Sequence, residues 1–297
     1  MSRRDWILLF ALALLWGGSF PLVEVALRGL PVLSIVWLRV GLAALMLAVV
    51  VLARGLAFPA RAHWPALLVM GLLNNALPFS LIALAQGQIS GALASILNAT
   101  TPLFTLLVAH LATVDERITP KKAAGLGLGF SGVVVMLAGE PLDGATLAKL
   151  AALMAASSYA VASVWGRRFR ATGLGAVPTA FGQVAASTVI LFPAMLVVDR
   201  PWAMGAPATS ALLAVVALAL LSTAMAYLIY FRLLATAGAT RLSLVTFLIP
   251  VSATALGVVF LGEVLQPRHL GGFALIALGL VAISGRTVAT IAQGVPR

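Results

Sequence analysis

Ten apolar runs, each long enough to cross a lipid bilayer as a helix, follow one another with only short connections between them. A helix spanning the roughly 30 Å hydrocarbon layer needs about 20 residues. Runs of that size fall at 6–27, 32–53, 64–85, 90–111 and 122–138, then at 147–166, 176–198, 207–231, 240–261 and 269–285. Only 9% of the residues are charged, against about a quarter in a soluble domain. No soluble core could hide this much apolar surface, so the chain reads as an all-α integral membrane protein with ten transmembrane helices.

The formal charge of +11 resembles a nucleic-acid signature only until the positions are read. With the N-terminus inside, fourteen of the 19 Lys and Arg fall in cytoplasmic connections and four (Arg28, Lys149, Arg200, Arg268) outside. Arg39 alone lies within a span. That asymmetry follows the positive-inside rule. It predicts a multi-pass protein of the plasma (inner) membrane with both termini cytoplasmic, and no nucleic-acid partner. The apolar run from Trp6 is too long for the centre of a signal peptide. Cysteine is absent, so no disulfide framework or thiolate metal site is available, and no metal or cofactor is expected.

The chain repeats itself. Glu116-x-x-x-Pro120-x4-Gly125-x6-Gly132 returns as Glu263-x-x-x-Pro267-x4-Gly272-x6-Gly279, and Ser95…Asn98…Pro102 as Ser243…Thr246…Pro250. One unit of five spans therefore occurs twice, with halves expected at 1–140 and 141–297. Five is odd, so the second copy enters the membrane from the opposite side. Inverted five-helix repeats supply the two related conformations, one open to each face, that alternating access requires.

These paired halves with Glu-x-x-x-Pro…Gly…Gly endings, together with Leu15-Trp16-Gly17-Gly18-Ser19-Phe20 in the first span, resemble the drug/metabolite transporter superfamily. More narrowly the chain resembles the EamA-type ten-helix exporters, and within them the YddG-type exporters of aromatic amino acids. The resemblance implies a central pocket lined by spans 1–4 and 6–9, with spans 5 and 10 peripheral. It also implies export of amino acids, aromatic or neutral, or of related metabolites; the same fold carrying lipophilic drugs is the alternative.

The prolines of spans 4 and 9 are the strongest local signals. Proline has no N–H to give the carbonyl four residues earlier, so Pro102 frees the carbonyl of Asn98 and Pro250 that of Thr246. Irregular backbone at that depth is tolerated where it lines a cavity or is buried in protein, and paired interrupted spans point to a transport site. Pro102 and Pro250 are read as hinges, with packing kinks satisfied by nearby Thr hydroxyls as the plainer alternative. Trp16, Asn74, Asn75, Phe79, Asn98, Thr101, Tyr159, Gln183, Tyr227 and Thr246 lie at suitable depths to line a pocket. Amides there can bind an ammonium or a carboxylate, and aromatic faces attract cations. Arg39 is assigned a structural ion pair with Glu24 of the preceding span, about 6 Å of helical rise away, with a substrate-carboxylate role as the alternative.

Two further readings are negative. Gly127-Leu128-Gly129-Phe130-Ser131-Gly132 matches the dinucleotide fingerprint but lies inside an apolar span, without the strand and helix start that chemistry needs. It reads instead as a helix-packing face, and a second copy of the chain is expected to dock through spans 5 and 10. An intramembrane enzyme is disfavoured, since no carboxylate pair or Ser/His/Asp set shares a common depth.

Overall fold

A computed structural model describes residues 2–113, 117–137, 144–238 and 242–284. The first repeat's Glu116 lies outside them. Ten helices follow in order: α1 (Arg3–Leu27), α2 (Val32–Ala53), α3 (Arg61–Gln86), α4 (Gly91–Ala112), α5 (Pro120–Leu137), α6 (Gly144–Phe169), α7 (Ala176–Asp199), α8 (Thr209–Ala237), α9 (Val245–Leu261) and α10 (Pro267–Ser284). Seven are long and apolar enough to cross a bilayer, and α9 and α10 are shorter apolar helices. Successive helices run in opposite directions. One face of the bundle therefore carries the start of α1 and the α6–α7 connection, and the opposite face carries the α9–α10 connection.

Helix packing is symmetric under exchange of the two halves. α2 packs on α7, α4 on α9 and α5 on α10, each helix meeting its own counterpart. α3 packs on α6 as α8 packs on α1, and α4 meets α6 as α9 meets α1. A direct sequence repeat thus becomes an inverted spatial one.

Small residues set the closest approaches. A Cβ built on Gly279 would stand 2.6 Å from the Gly125 carbonyl oxygen, and one on Gly132 would stand 2.5 Å from that of Gly272. The glycine face of α5 is therefore spent on α10 of the same chain. A second copy docking here would have to use the outer sides of these helices.

The ends of α1 and α2 show how the bundle is pinned. Ser2 and Asp5 form a reciprocal capping box at the head of α1, and Asp5 Oδ1 accepts a hydrogen bond from Thr236 Oγ1 of α8 at 3.0 Å. Pro31, which precedes α2, offers no side-chain cap. Asp199, at the end of α7, instead accepts from the Ser34 backbone N–H and hydroxyl, placing a carboxylate where the helix dipole favours one.

Four helices are irregular, and they surround the centre. α1 breaks at Gly18 and α4 at Ala99–Thr100. In α3 and α8 the regular turns widen into π turns, at Leu72–Ala76 and Leu220–Met225. These occupy matching positions in the two copies, 148 residues apart by their first residues. Lys149, assigned by sequence to an outer loop, lies inside α6 and is only 2% exposed.

Candidate functional site

A cavity of about 550 Å³ occupies the middle of the bundle between the two halves. Its walls come from α1–α4 and α6–α9, while α5 and α10 contribute none. Of the pocket residues expected from sequence, Trp16, Asn74, Phe79, Asn98, Thr101, Tyr159, Gln183, Tyr227 and Thr246 all line it. Asn75 does not. It is fully buried behind the wall, where Asn75 Oδ1 accepts a 2.6 Å hydrogen bond from the Tyr227 hydroxyl.

The exposed residues of the cavity lining, Ser163 and Ala176, lie at one end, beside the α6–α7 connection. Gly166, Arg167, Leu174 and Ala176, at that connection, form its mouth. Toward the opposite face the walls close. Gln86 Nε2 donates to the Phe20 carbonyl at 2.8 Å, tying α3 to α1. Beyond it, both carboxylate oxygens of Glu263 accept backbone N–H groups at the start of α4, from Gly91 and Ala92, each at 2.9 Å. Sequence marked Glu263 only as part of the repeat; its sealing role depends on α4, 172 residues away.

The π turns aim polar side chains across the halves. In α8 the Thr223 hydroxyl donates to the Leu218 carbonyl at 2.9 Å, a backbone acceptor one residue beyond ordinary helical reach. With its proton committed there, Thr223 Oγ1 accepts from Arg39 Nε of α2 at 2.9 Å. In α3 the Asn74 amide donates to Gln183 Oε1 of α7 at 3.0 Å and lies 3.3 Å from the Tyr227 hydroxyl. Arg39 on α2 therefore meets the π turn of α8 as Gln183 on α7 meets that of α3. π turns are rare and concentrate at functional sites. No local sequence pattern announced them.

The expected pair between Glu24 and Arg39 does not form. Glu24 lies near the face away from the mouth, 3.6 Å from Arg28, its neighbour one turn on. Arg39 instead points into the cavity, 7% exposed, with its guanidinium carbon 3.8 Å from the centroid of the Phe79 ring. Helix depth had suggested Glu24. The pairing with Thr223, 184 residues distant, was beyond any estimate from adjacent spans.

Pro102 plays a different part from a mid-helix kink. α4 stops at Asn98 and restarts at Thr101, so Pro102 sits in the first turn of the second segment, where its missing N–H costs nothing. The Asn98 carbonyl accepts the Thr101 hydroxyl at 2.7 Å. Pro250, by contrast, lies within continuous helix α9. Asn98 Oδ1 and Gln86 Oε1 are buried cavity-wall acceptors with no hydrogen-bond donor among the described residues.

No metal-ligating cluster of His, Asp and Glu occurs among the described residues. Inverted halves enclosing a cavity that opens on one face define a multi-pass membrane transporter. The chain belongs to the EamA-like transporter family, whose profile matches twice, at residues 5–138 and 146–285, and these are transporters rather than enzymes. It is 26% identical to the uncharacterized inner membrane transporter YedA of Escherichia coli, over 93% of this chain and 89% of that one. It is 27% identical to the uncharacterized transporter YvbV of Bacillus subtilis, covering 99% and 96%. A probable amino-acid metabolite efflux pump of Escherichia coli is also 27% identical, covering 94% of each. One solved crystal structure shares the fold with a TM-score of 0.67 at 23% identity, covering 97% of this chain and 99% of the other.

Proposed function

We propose that the chain is an alternating-access exporter of amino acids or related small metabolites, seated in the inner membrane with both termini cytoplasmic. The observation that carries this reading is the cavity itself. It lies between inverted halves, has a volume within the range of small-molecule sites, and is open on the face of the α6–α7 connection while sealed on the other. In this orientation the mouth faces the cytoplasm, as loading for export requires. The two five-helix units, 1–140 and 141–297, exchange roles as the cavity changes face. The amide and aromatic wall suits a small polar molecule with an apolar side chain, and the relationship to a probable amino-acid metabolite efflux pump favours the same class.

The deciding experiment is counterflow of labelled phenylalanine, leucine and serine in proteoliposomes holding the purified chain. Accumulation driven by unlabelled substrate on the far side is expected for at least one of them. Flux of none, with lipophilic dyes carried instead, would overturn the reading in favour of drug export.

A further inference from the structure

Arg39 is the one charged side chain in the deep wall of the cavity; Arg167, at the mouth, adds a second positive charge. Among the described residues, no Asp or Glu lines the cavity at all. A guanidinium carries five N–H donors and can accept none. Among the described residues, only Nε of Arg39 donates to the protein, to Thr223 Oγ1. The Phe79 ring lies beneath the guanidinium, and among the described residues the Nη groups have no protein acceptor. Side chains held in this way are built to receive a planar, bidentate anion.

The repeat sharpens the point. The position on α7 that mirrors Arg39 is Gln183, whose Oε1 is taken by Asn74. One end of a pseudo-symmetric site is thus cationic and the other neutral, so the site orients an asymmetric ligand. A buried ion without a counter-charge is costly, and the shortfall is made good by whatever brings the opposite charge. A monoanion neutralises Arg39. A zwitterion brings an ammonium as well, and no carboxylate waits for it among the described wall residues.

We infer that Arg39 is the carboxylate anchor of the transport site, and that the site selects small apolar carboxylates without reading an α-ammonium group. This rests on the cavity being the transport site. It makes deaminated or N-acylated carboxylates substrates at least as good as the corresponding amino acids. Thr223 acts as a positioning residue, holding the guanidinium edge through Nε.

Three probes of the same ring and chain length separate the terms: 3-phenylpropionate (anion), phenylalanine (zwitterion) and phenethylamine (cation). Each is measured by thermal shift on the full-length chain in detergent and by counterflow in proteoliposomes. 3-Phenylpropionate is expected to bind at least as tightly as phenylalanine, and phenethylamine at least tenfold more weakly. Arg39→Gln is expected to weaken both carboxylates tenfold or more and to erase the preference over phenethylamine. Arg39→Lys, which keeps the charge and loses the fork, is expected to fall between and serves if Arg39→Gln does not fold. Phenethylamine binding as well as 3-phenylpropionate would overturn the inference, as would phenylalanine flux with which 3-phenylpropionate neither competes nor exchanges. In both cases transport itself would stand. Absence of flux for every probe and for all labelled amino acids would remove the transport reading as well.

Discussion

Glu263 Oε1 lies 2.9 Å from the backbone N–H of Gly91, so the short α9–α10 connection is bonded to the head of α4. Gly91 has no side chain to obstruct that approach, since a Cβ there would stand 3.1 Å from Glu263 Oε1. A carboxylate on exposed helix N–H groups is a strong, charge-assisted contact. In this chain it closes the far end of the cavity. Glu263→Ala is therefore expected to open that end. The chain has no native cysteine, so Ser95→Cys, in the fully buried α4 wall of the cavity, reports it directly. Labelling by an impermeant maleimide from the α9–α10 side should rise about tenfold or more in the Glu263→Ala background. No change would remove the latch.

The same carboxyl predicts a pH dependence. Partial burial raises Glu263 above the ordinary carboxylate range, and hydrogen bonding and repulsion from Glu24 raise it further, against the pull of the Ala92 and Gly91 N–H groups. Arg28, 3.6 Å from Glu24, is the nearby cation. A carboxyl raised in the sealed state holds its proton more firmly there than when released. The seal therefore gains as pH falls from above the raised value toward the ordinary one near 4.5. Above the raised value that gain is absent. Glu24→Gln removes the repulsion and should flatten the dependence. The check is Ser95→Cys labelling between pH 5 and 8, corrected for thiolate fraction, with and without Glu24→Gln.

Reading the sequence located the spans and several polar and aromatic residues of the cavity wall because both depend on local signals. Apolar run length sets a span, and a polar or aromatic residue at mid-depth is expensive unless it faces something polar. The π turns were not legible, since LLNNA and LLSTAM carry no residue that forces a wide turn. They are held by tertiary partners: Ser158 Oγ donates to the Leu73 carbonyl from α6, and Ser187 Oγ to that of Gly71 from α7. The misassigned Arg39 has the same origin. Depth along a helix is readable from sequence, but which neighbour faces it depends on how ten helices pack.

Packing of α5 on α10 gives a stability prediction free of transport. Gly279 stands against backbone atoms, with the Gly129 nitrogen as well as the Gly125 carbonyl 2.6 Å from a built Cβ. Backbone cannot swing aside as a side chain tip can. Gly279→Val is expected to cost about 1–3 kcal/mol, the usual penalty of overpacking, seen as a lower Tm in detergent. Gly271→Val, about two turns from that contact on the same helix and facing open space, should leave Tm nearly unchanged.

Tyr227 joins the two halves through its hydroxyl, which donates to Asn75 Oδ1. Tyr227→Phe leaves that oxygen buried with no donor, at a cost of about 1–3 kcal/mol. Pairing it with Asn75→Leu, which removes the stranded acceptor, should recover part of the lost Tm. If the double variant is as unstable as the sum of the singles, the two residues do not act as a pair.

Pro102 and Pro250 should behave differently because their settings differ. Pro102 begins a helix segment after a break already capped by the Thr101 and Thr100 hydroxyls, the latter on the Leu97 carbonyl at 2.6 Å. Pro102→Ala therefore restores an N–H where no acceptor is waiting and should change stability little. Pro250 lies inside α9, where proline costs about 3 kcal/mol relative to alanine. Pro250→Ala should therefore raise Tm. If the bend it creates is used in switching, the same substitution stiffens α9 and slows exchange of the cavity between faces. The expected pattern for Pro250→Ala is a higher Tm, unchanged ligand affinity and a counterflow rate reduced about fivefold or more. A higher Tm with an unaltered rate would make Pro250 a packing kink, and α9 would then move as a rigid rod.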